Sequence, residues 1–126
     1  MTMKDPKILI VEDEASCAML LTDFLNLSGY EVCGVVSTGL GAVRAAAEAK
    51  PDVIFMDIRL ADEVDGIEAA SRIMMVSEKV SIIFMSAYSD PDIVAKAKKL
   101  NPAAYIFKPF ELEETDRVIR SICEKD

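Results

Sequence analysis

The sequence predicts an α/β fold, a doubly wound, five-stranded parallel sheet with five helices on its two faces. Three observations predict it. Five apolar runs of five to seven residues alternate strictly with longer segments of helical period. The central runs, such as "VIFM" and "IIFM", are apolar without a polar alternate, as in strands buried on both faces. The joints between segments are short and polar, and right-handed crossovers then place the strands parallel with helices on both sides.

In chain order, "KILIVE" at 7–12 is the first strand and residues 14–27 the first helix, with Gly29 standing at its C-terminal cap. "YEVCGVV" at 30–36 is the second strand. With Glu31 and Gly34 among its apolar residues, it reads as an edge. Thr38 caps a helix at 38–49. "DVIFMD" at 52–57 is the third strand, followed by a polar loop and a helix at 66–76. "VSIIFMS" at 80–86 is the fourth. Asp90 then caps a helix at 91–100 whose first residue is Pro91. "AYIFK" at 104–108 and a helix at 112–124 complete the fold.

A chain of 126 residues is the size of one domain and long enough to bury about two-thirds of its unfolded surface. It is 52% hydrophobic, yet charges such as Asp23, Arg44 and Arg72 interrupt each apolar segment before it could span a bilayer. The N-terminal "MTMKDPK" has no apolar core of a secretory signal, so the expectation is a cytoplasmic protein with no membrane partner. Cys17, Cys33 and Cys123 are scattered and lack metal-ligand spacing, which suits reduced thiols packed as small apolar groups. A net charge of −8 and the lack of a basic patch with interleaved aromatics exclude direct nucleic-acid binding.

The informative pattern is what ends each strand. The first run stops at Glu12-Asp13, the third at Asp57, the fourth at Ser86 and the fifth at Lys108. All carboxyl ends of a parallel sheet lie on one edge, so these side chains are expected to converge in one crevice. Singly, each has a duller explanation: a solvated acidic loop, a turn cap, a strand stop. Together they suit one chemistry. Three carboxylates repel by about 4 kcal/mol per pair at 4 Å and an effective dielectric near 20, more than Lys108 alone can offset. A hard divalent cation such as Mg²⁺ can offset it, and such a cation typically also takes a phosphate oxygen. With Lys108 on another phosphoryl oxygen, Asp57 becomes the nucleophile and forms an acyl phosphate. Glu12 and Asp13 then serve the metal, and Ser86 offers its hydroxyl to the remaining face.

The set Glu12-Asp13, Asp57, Ser86-Ala87 and Lys108-Pro109, with "PDVIFMDIRL", "DGIEAA" and "YIFKPF", resembles the receiver domain of two-component response regulators, chemotaxis regulators among them, over nearly the whole chain. The resemblance implies a flavodoxin-like sheet of order 2-1-3-4-5. It implies phosphorylation at Asp57. Glu12, Asp13, Asp57 and the main-chain carbonyl of Arg59 would hold Mg²⁺, with Mn²⁺ or Ca²⁺ able to substitute. It further implies a cis Lys108-Pro109 bond and a switch in which Ser86 moves inward and Tyr105 follows, altering the surface of the fourth helix, fifth strand and last helix. Arg59 and Tyr88, two residues beyond the nucleophile and the hydroxyl, would set the phosphoryl lifetime by restricting water. The acidic pair is Glu-Asp instead of Asp-Asp, the hydroxyl is Ser instead of Thr, and the loop from Arg59 to Gly66 is about one residue longer than the commonest form.

The chain has no histidine, so it cannot be a phosphohistidine donor. The implied partners are a sensor histidine kinase or a histidine phosphotransfer domain upstream and a protein target downstream, with the chain a monomer or a phosphorylation-dependent dimer. It is expected to be a phosphoacceptor and not an enzyme acting on others: a single receiver domain over 1–126 with no output domain, either stand-alone or part of a longer protein. Three other readings remain. A receiver-like interaction module would work without phosphate. A haloacid-dehalogenase-type phosphatase would need an acid where Arg59 stands. A flavodoxin would need a phosphate-cradling first loop where Glu12, Asp13 and Glu14 would repel the ligand.

Overall fold

The computed structural model describes residues 5–77, 79–87 and 90–124. Five strands, β1 (Lys7–Val11), β2 (Glu31–Val36), β3 (Val53–Asp57), β4 (Ser81–Ser86) and β5 (Ala104–Phe107), alternate with five helices. The helices are α1 (Ala15–Leu27), α2 (Gly39–Ala49), α3 (Gly66–Val76), α4 (Pro91–Lys98) and α5 (Leu112–Glu124). The sheet is parallel throughout with order β2-β1-β3-β4-β5, so the expected architecture and order both hold, and β2 is an edge.

Strand parity divides the core. Ile8, Ile10, Val53, Phe55, Ile83, Met85 and Ile106 pack with Leu21 and Leu25 of α1 and Ile119 of α5. Their alternates Leu9, Val11, Ile54, Met56, Ile82 and Phe84 pack with Ala42 of α2, Ala69, Ala70 and Ile73 of α3 and Ala97 of α4. Each central strand feeds both layers, which is why "VIFM" carries no polar alternate.

The caps follow the sequence. Thr38 Oγ1 accepts from the Gly41 amide at 2.9 Å, and Asp90 Oδ1 accepts from the Asp92 amide at 2.9 Å with Pro91 in the first helical position. Gly29, at φ 93°, reverses the chain after α1. α4 ends at Lys98, two residues before the expected Leu100, because the Leu100 and Asn101 amides turn back in tight bonds to Ala97 and Lys98. Tyr30 donates to Asp116 at 2.6 Å, pinning the chain entering β2 to α5. Among the described residues no helix is long and apolar enough to cross a membrane.

Candidate functional site

Register explains the meeting of distant residues. Val11 pairs with Met56, so Glu12, the next residue, comes beside Asp57 at the carboxyl edge. Glu12, Asp57 and Lys108 also continue the parity of Ile10, Phe55 and Ile106, which turns all three towards the α1/α5 side. There they border a crevice of about 840 Å³ with Asp13, Arg59 and Ala87 on its rim and Met85 and Phe110 in its wall.

Lys108 Nζ donates to Glu12 Oε1 at 2.5 Å and to Asp57 Oδ2 at 3.1 Å. Both carboxylates are nearly buried, with Glu12 4% and Asp57 6% exposed, so the ammonium is their main local counter-charge. Burial raises the Glu12 carboxyl above its ordinary range; the hydrogen bond with Asp57 adds to this and Lys108 opposes it. Burial alone would lower Lys108, but the bonds to Glu12 and Asp57 outweigh it and hold the ammonium above its usual value. Main-chain amides complete the shell: Glu14 N donates to Glu12 Oε2 at 3.1 Å and Arg59 N to Asp57 Oδ1 at 3.4 Å.

Asp13 is exposed on the rim, yet one carboxylate oxygen from each of Glu12, Asp13 and Asp57 lies within 4.8 Å of the others. Three hard oxygen donors at this spacing fit a divalent cation of the Mg²⁺ class. Ser86, fully buried at the end of β4, follows the parity of Phe84, towards the α3/α4 layer. Its carbonyl accepts the Lys108 amide at 2.8 Å, and Ser86 pairs in register with Phe107. Tyr105, half-buried on that same side, has its ring centroid 6.2 Å from Phe84 and 4.9 Å from Phe107. The Lys108-Pro109 bond is cis, as the resemblance implies. Tyr88 lies outside the described residues.

Sequence reasoning missed Cys17. It is not packed as a core residue but borders the crevice and donates to Glu14 Oε1 at 3.0 Å, and that bond with burial pushes its thiol up to about 11. The signal was available, since residues 14, 17 and 21 share the side of α1 that follows Glu12. Asp62 was missed too: its carboxylate accepts from the Gly39 amide at 2.8 Å and the Leu40 amide at 3.0 Å, a pairing with no local trace in the sequence.

Residues 8–120 match the family model described as the response regulator receiver domain. The chain is 38% identical over 105 residues to the chemotaxis protein CheY of Thermotoga maritima, covering 83% of this chain and 87% of that protein. The signal receiver domain of a modulated diguanylate cyclase from Desulfovibrio desulfuricans G20 superposes with a TM-score of 0.88 at 35% identity, covering 95% of this chain and 94% of that one. The receiver domain of a sensor histidine kinase from Pseudomonas aeruginosa PAO1, solved with a magnesium ion coordinated in its active site cleft, superposes with a TM-score of 0.86 at 28% identity, covering 97% and 100%. An acidic strand-end crevice, a five-stranded sheet of this order and a family match over nearly the whole chain agree: the chain belongs to the response regulator receiver domain family of two-component signalling.

Proposed function

We propose that the chain accepts a phosphoryl group on Asp57 from a phosphohistidine of a sensor kinase or phosphotransfer domain. An Asp57 carboxylate oxygen attacks phosphorus, the donor N–P bond breaks with its electron pair returning to the imidazole, and an acyl phosphate forms. Glu12, Asp13, Asp57 and the Arg59 main-chain carbonyl would hold Mg²⁺, with Mn²⁺ or Ca²⁺ as substitutes. Bound there, the cation would supply positive charge that offsets carboxylate repulsion and favours an incoming phosphoryl group. Lys108 is the second source of positive charge, released from Glu12 to meet another phosphoryl oxygen. Ser86 hydrogen-bonds the third, and Tyr105 responds to its movement, altering the surface of α4, β5 and α5 that a downstream protein reads. Arg59 and Tyr88 flank the water approach and lengthen the phosphoryl lifetime. The chain works in the cytoplasm as one phosphoacceptor unit over 1–126.

The observation that carries this reading is Lys108 Nζ bridging Glu12 and Asp57 at 2.5 and 3.1 Å beside the three-carboxylate cluster. A cation and an anion-binding ammonium on either side of one nearly buried aspartate suit phosphoryl transfer to it. The test is intact mass after incubation with acetyl phosphate and Mg²⁺. One acid-stable, base-labile phosphoryl adduct is expected on the parent and none on Asp57→Asn or with chelator. Labelling that survives either change overturns the assignment.

A further inference from the structure

The loop of residues 58–65 that follows Asp57 contains no proline, so no ring fixes its backbone and its path depends on the bonds it makes to neighbouring elements. It is fastened at two ends. Near Asp57, the Ile58 amide donates to the Met85 carbonyl at 3.2 Å and the Ile58 carbonyl accepts from Gly66 at 2.7 Å. At the far end Asp62 takes the Gly39 and Leu40 amides at 2.8 and 3.0 Å, and the Ala61 amide donates to the Ser37 carbonyl at 3.4 Å. Val64 presses against Gly39, where any Cβ would overlap its carbonyl oxygen. Thr38 serves the next two amides of α2, from Gly41 through its hydroxyl and from Ala42 through its carbonyl. Of the three first-turn amides of α2 at Gly39, Leu40 and Gly41, which have no partner within the helix backbone, Asp62 from another loop takes two and Thr38 takes one. The Gly39 amide, and after it that of Leu40, hold the Asp62 carboxyl below its ordinary range. Between the two fastenings lie Arg59, whose amide also reaches Asp57 Oδ1 at a long 3.4 Å, and Leu60.

We propose that Asp62 is a positioning residue for the cation site: by tethering this loop to α2 it fixes where Arg59 presents its main-chain carbonyl, and so sets the affinity of the Glu12, Asp13, Asp57 cluster for Mg²⁺. This rests on the phosphoacceptor reading and extends it to α2, an element outside the crevice. A residue that only capped α2 would matter to helix stability alone. A tether matters to the metal, as groups that orient metal ligands do.

Calorimetric titration of the full chain with Mg²⁺ separates the two roles, using the parent, Asp62→Ala, Asp62→Asn and Thr38→Ala. Asp62→Ala is expected to weaken Mg²⁺ binding about tenfold, at the lower end for loss of a group that orients a metal ligand. Asp62→Asn, which keeps one acceptor oxygen, should fall between it and the parent. Thr38→Ala removes the other side-chain cap of the same helix and should leave the affinity unchanged while lowering the melting temperature. Amide exchange at Arg59 and Leu60 should quicken in Asp62→Ala and not in Thr38→Ala. Parent-like affinity in both Asp62 variants, or an equal loss in Thr38→Ala, overturns the tether and leaves the phosphoacceptor reading intact. A parent that binds no Mg²⁺ at millimolar concentration overturns both.

Discussion

Lys108 is the residue on which the electrostatics of the crevice turn. Its ammonium stands between two nearly buried carboxylates, and removing one partner from such an arrangement leaves charge without compensation. Because the crevice opens to solvent, Lys108→Ala should cost about 1–3 kcal/mol at neutral pH, less than the 3–5 of a sealed ion pair. The pH dependence has a definite sign. Burial holds the folded Glu12 carboxyl above its ordinary 4.5, so its contribution to stability is present below that value and is lost as pH rises through the raised one. The deficit of Lys108→Ala should therefore grow from about pH 4 to neutrality, and millimolar Mg²⁺ should restore more stability to the variant than to the parent. Denaturant titrations across pH, with and without the cation, measure both; a deficit flat with pH contradicts this account. The convergence of Glu12, Asp57 and Lys108 was legible in the sequence because it follows from topology alone: parallel strands share one carboxyl edge. Parity adds what strand ends do not: these three face α1 and α5, whereas Ser86 faces the opposite layer.

At the scale of elements, β3 and α3 meet at Gly66, whose amide bonds the Ile58 carbonyl at 2.7 Å. A Cβ at Gly66 would overlap the Asp57 carbonyl oxygen and lie 2.9 Å from Ile58 Cα, both backbone atoms with no rotamer to give way. Gly66→Ala should thus cost about 1–3 kcal/mol in overpacking. That lowers the melting temperature by roughly 4–12 °C. If Asp57 accepts the phosphoryl group as proposed, it should also weaken phosphorylation, because the atoms displaced belong to Asp57 and its neighbour. Thermal melts read the first effect and acetyl phosphate labelling the second; a variant as stable and as fully labelled as the parent contradicts the packing argument. The glycine was legible as a helix start, and "DGIEAA" carries its own signal in the Asp65 cap, which accepts from Glu68 at 2.8 Å. The path of the loop before it was not. What settles that path is a pairing of Asp62 with amides 22 and 23 positions away, and neither periodicity nor turn chemistry encodes such a contact.

For the whole molecule, parity poses a problem of transmission. The Glu12, Asp57 and Lys108 cluster faces α1 and α5, while Tyr105 packs in the layer of α4 and Ser86 and Phe107 share its strand parity, so on the proposed reading an event at Asp57 has to cross the sheet to reach α4. The structure offers one short path. Lys108, which bonds Glu12 and Asp57 through its side chain, bonds the Ser86 carbonyl through its amide at 2.8 Å. Ser86 sits beside Phe107 in register, and the Phe107 ring lies against Tyr105 with centroids 4.9 Å apart and planes tilted by 43°. On the proposed reading, drawing Lys108 and the Ser86 hydroxyl onto a phosphoryl group would therefore pull at both strands that carry the aromatic row Phe84, Tyr105 and Phe107. Phe84 is fully buried, Tyr105 half-buried and Phe107 48% exposed, and the response expected on the proposed reading is a shift between two packings of this row, the minor one present at about 0.1–10% before phosphorylation. Binding of beryllofluoride, a phosphoryl mimic, should displace Ser86 and Tyr105 together. Relaxation dispersion should detect exchange at Phe84, Tyr105 and Phe107 in the free protein. Tyr105→Ala should still label at Asp57 yet lose the mimic-induced changes in α4. Ser86 and Tyr105 unmoved in the beryllofluoride complex, or α4 responding as fully in Tyr105→Ala as in the parent, would show that the signal crosses the sheet by another route.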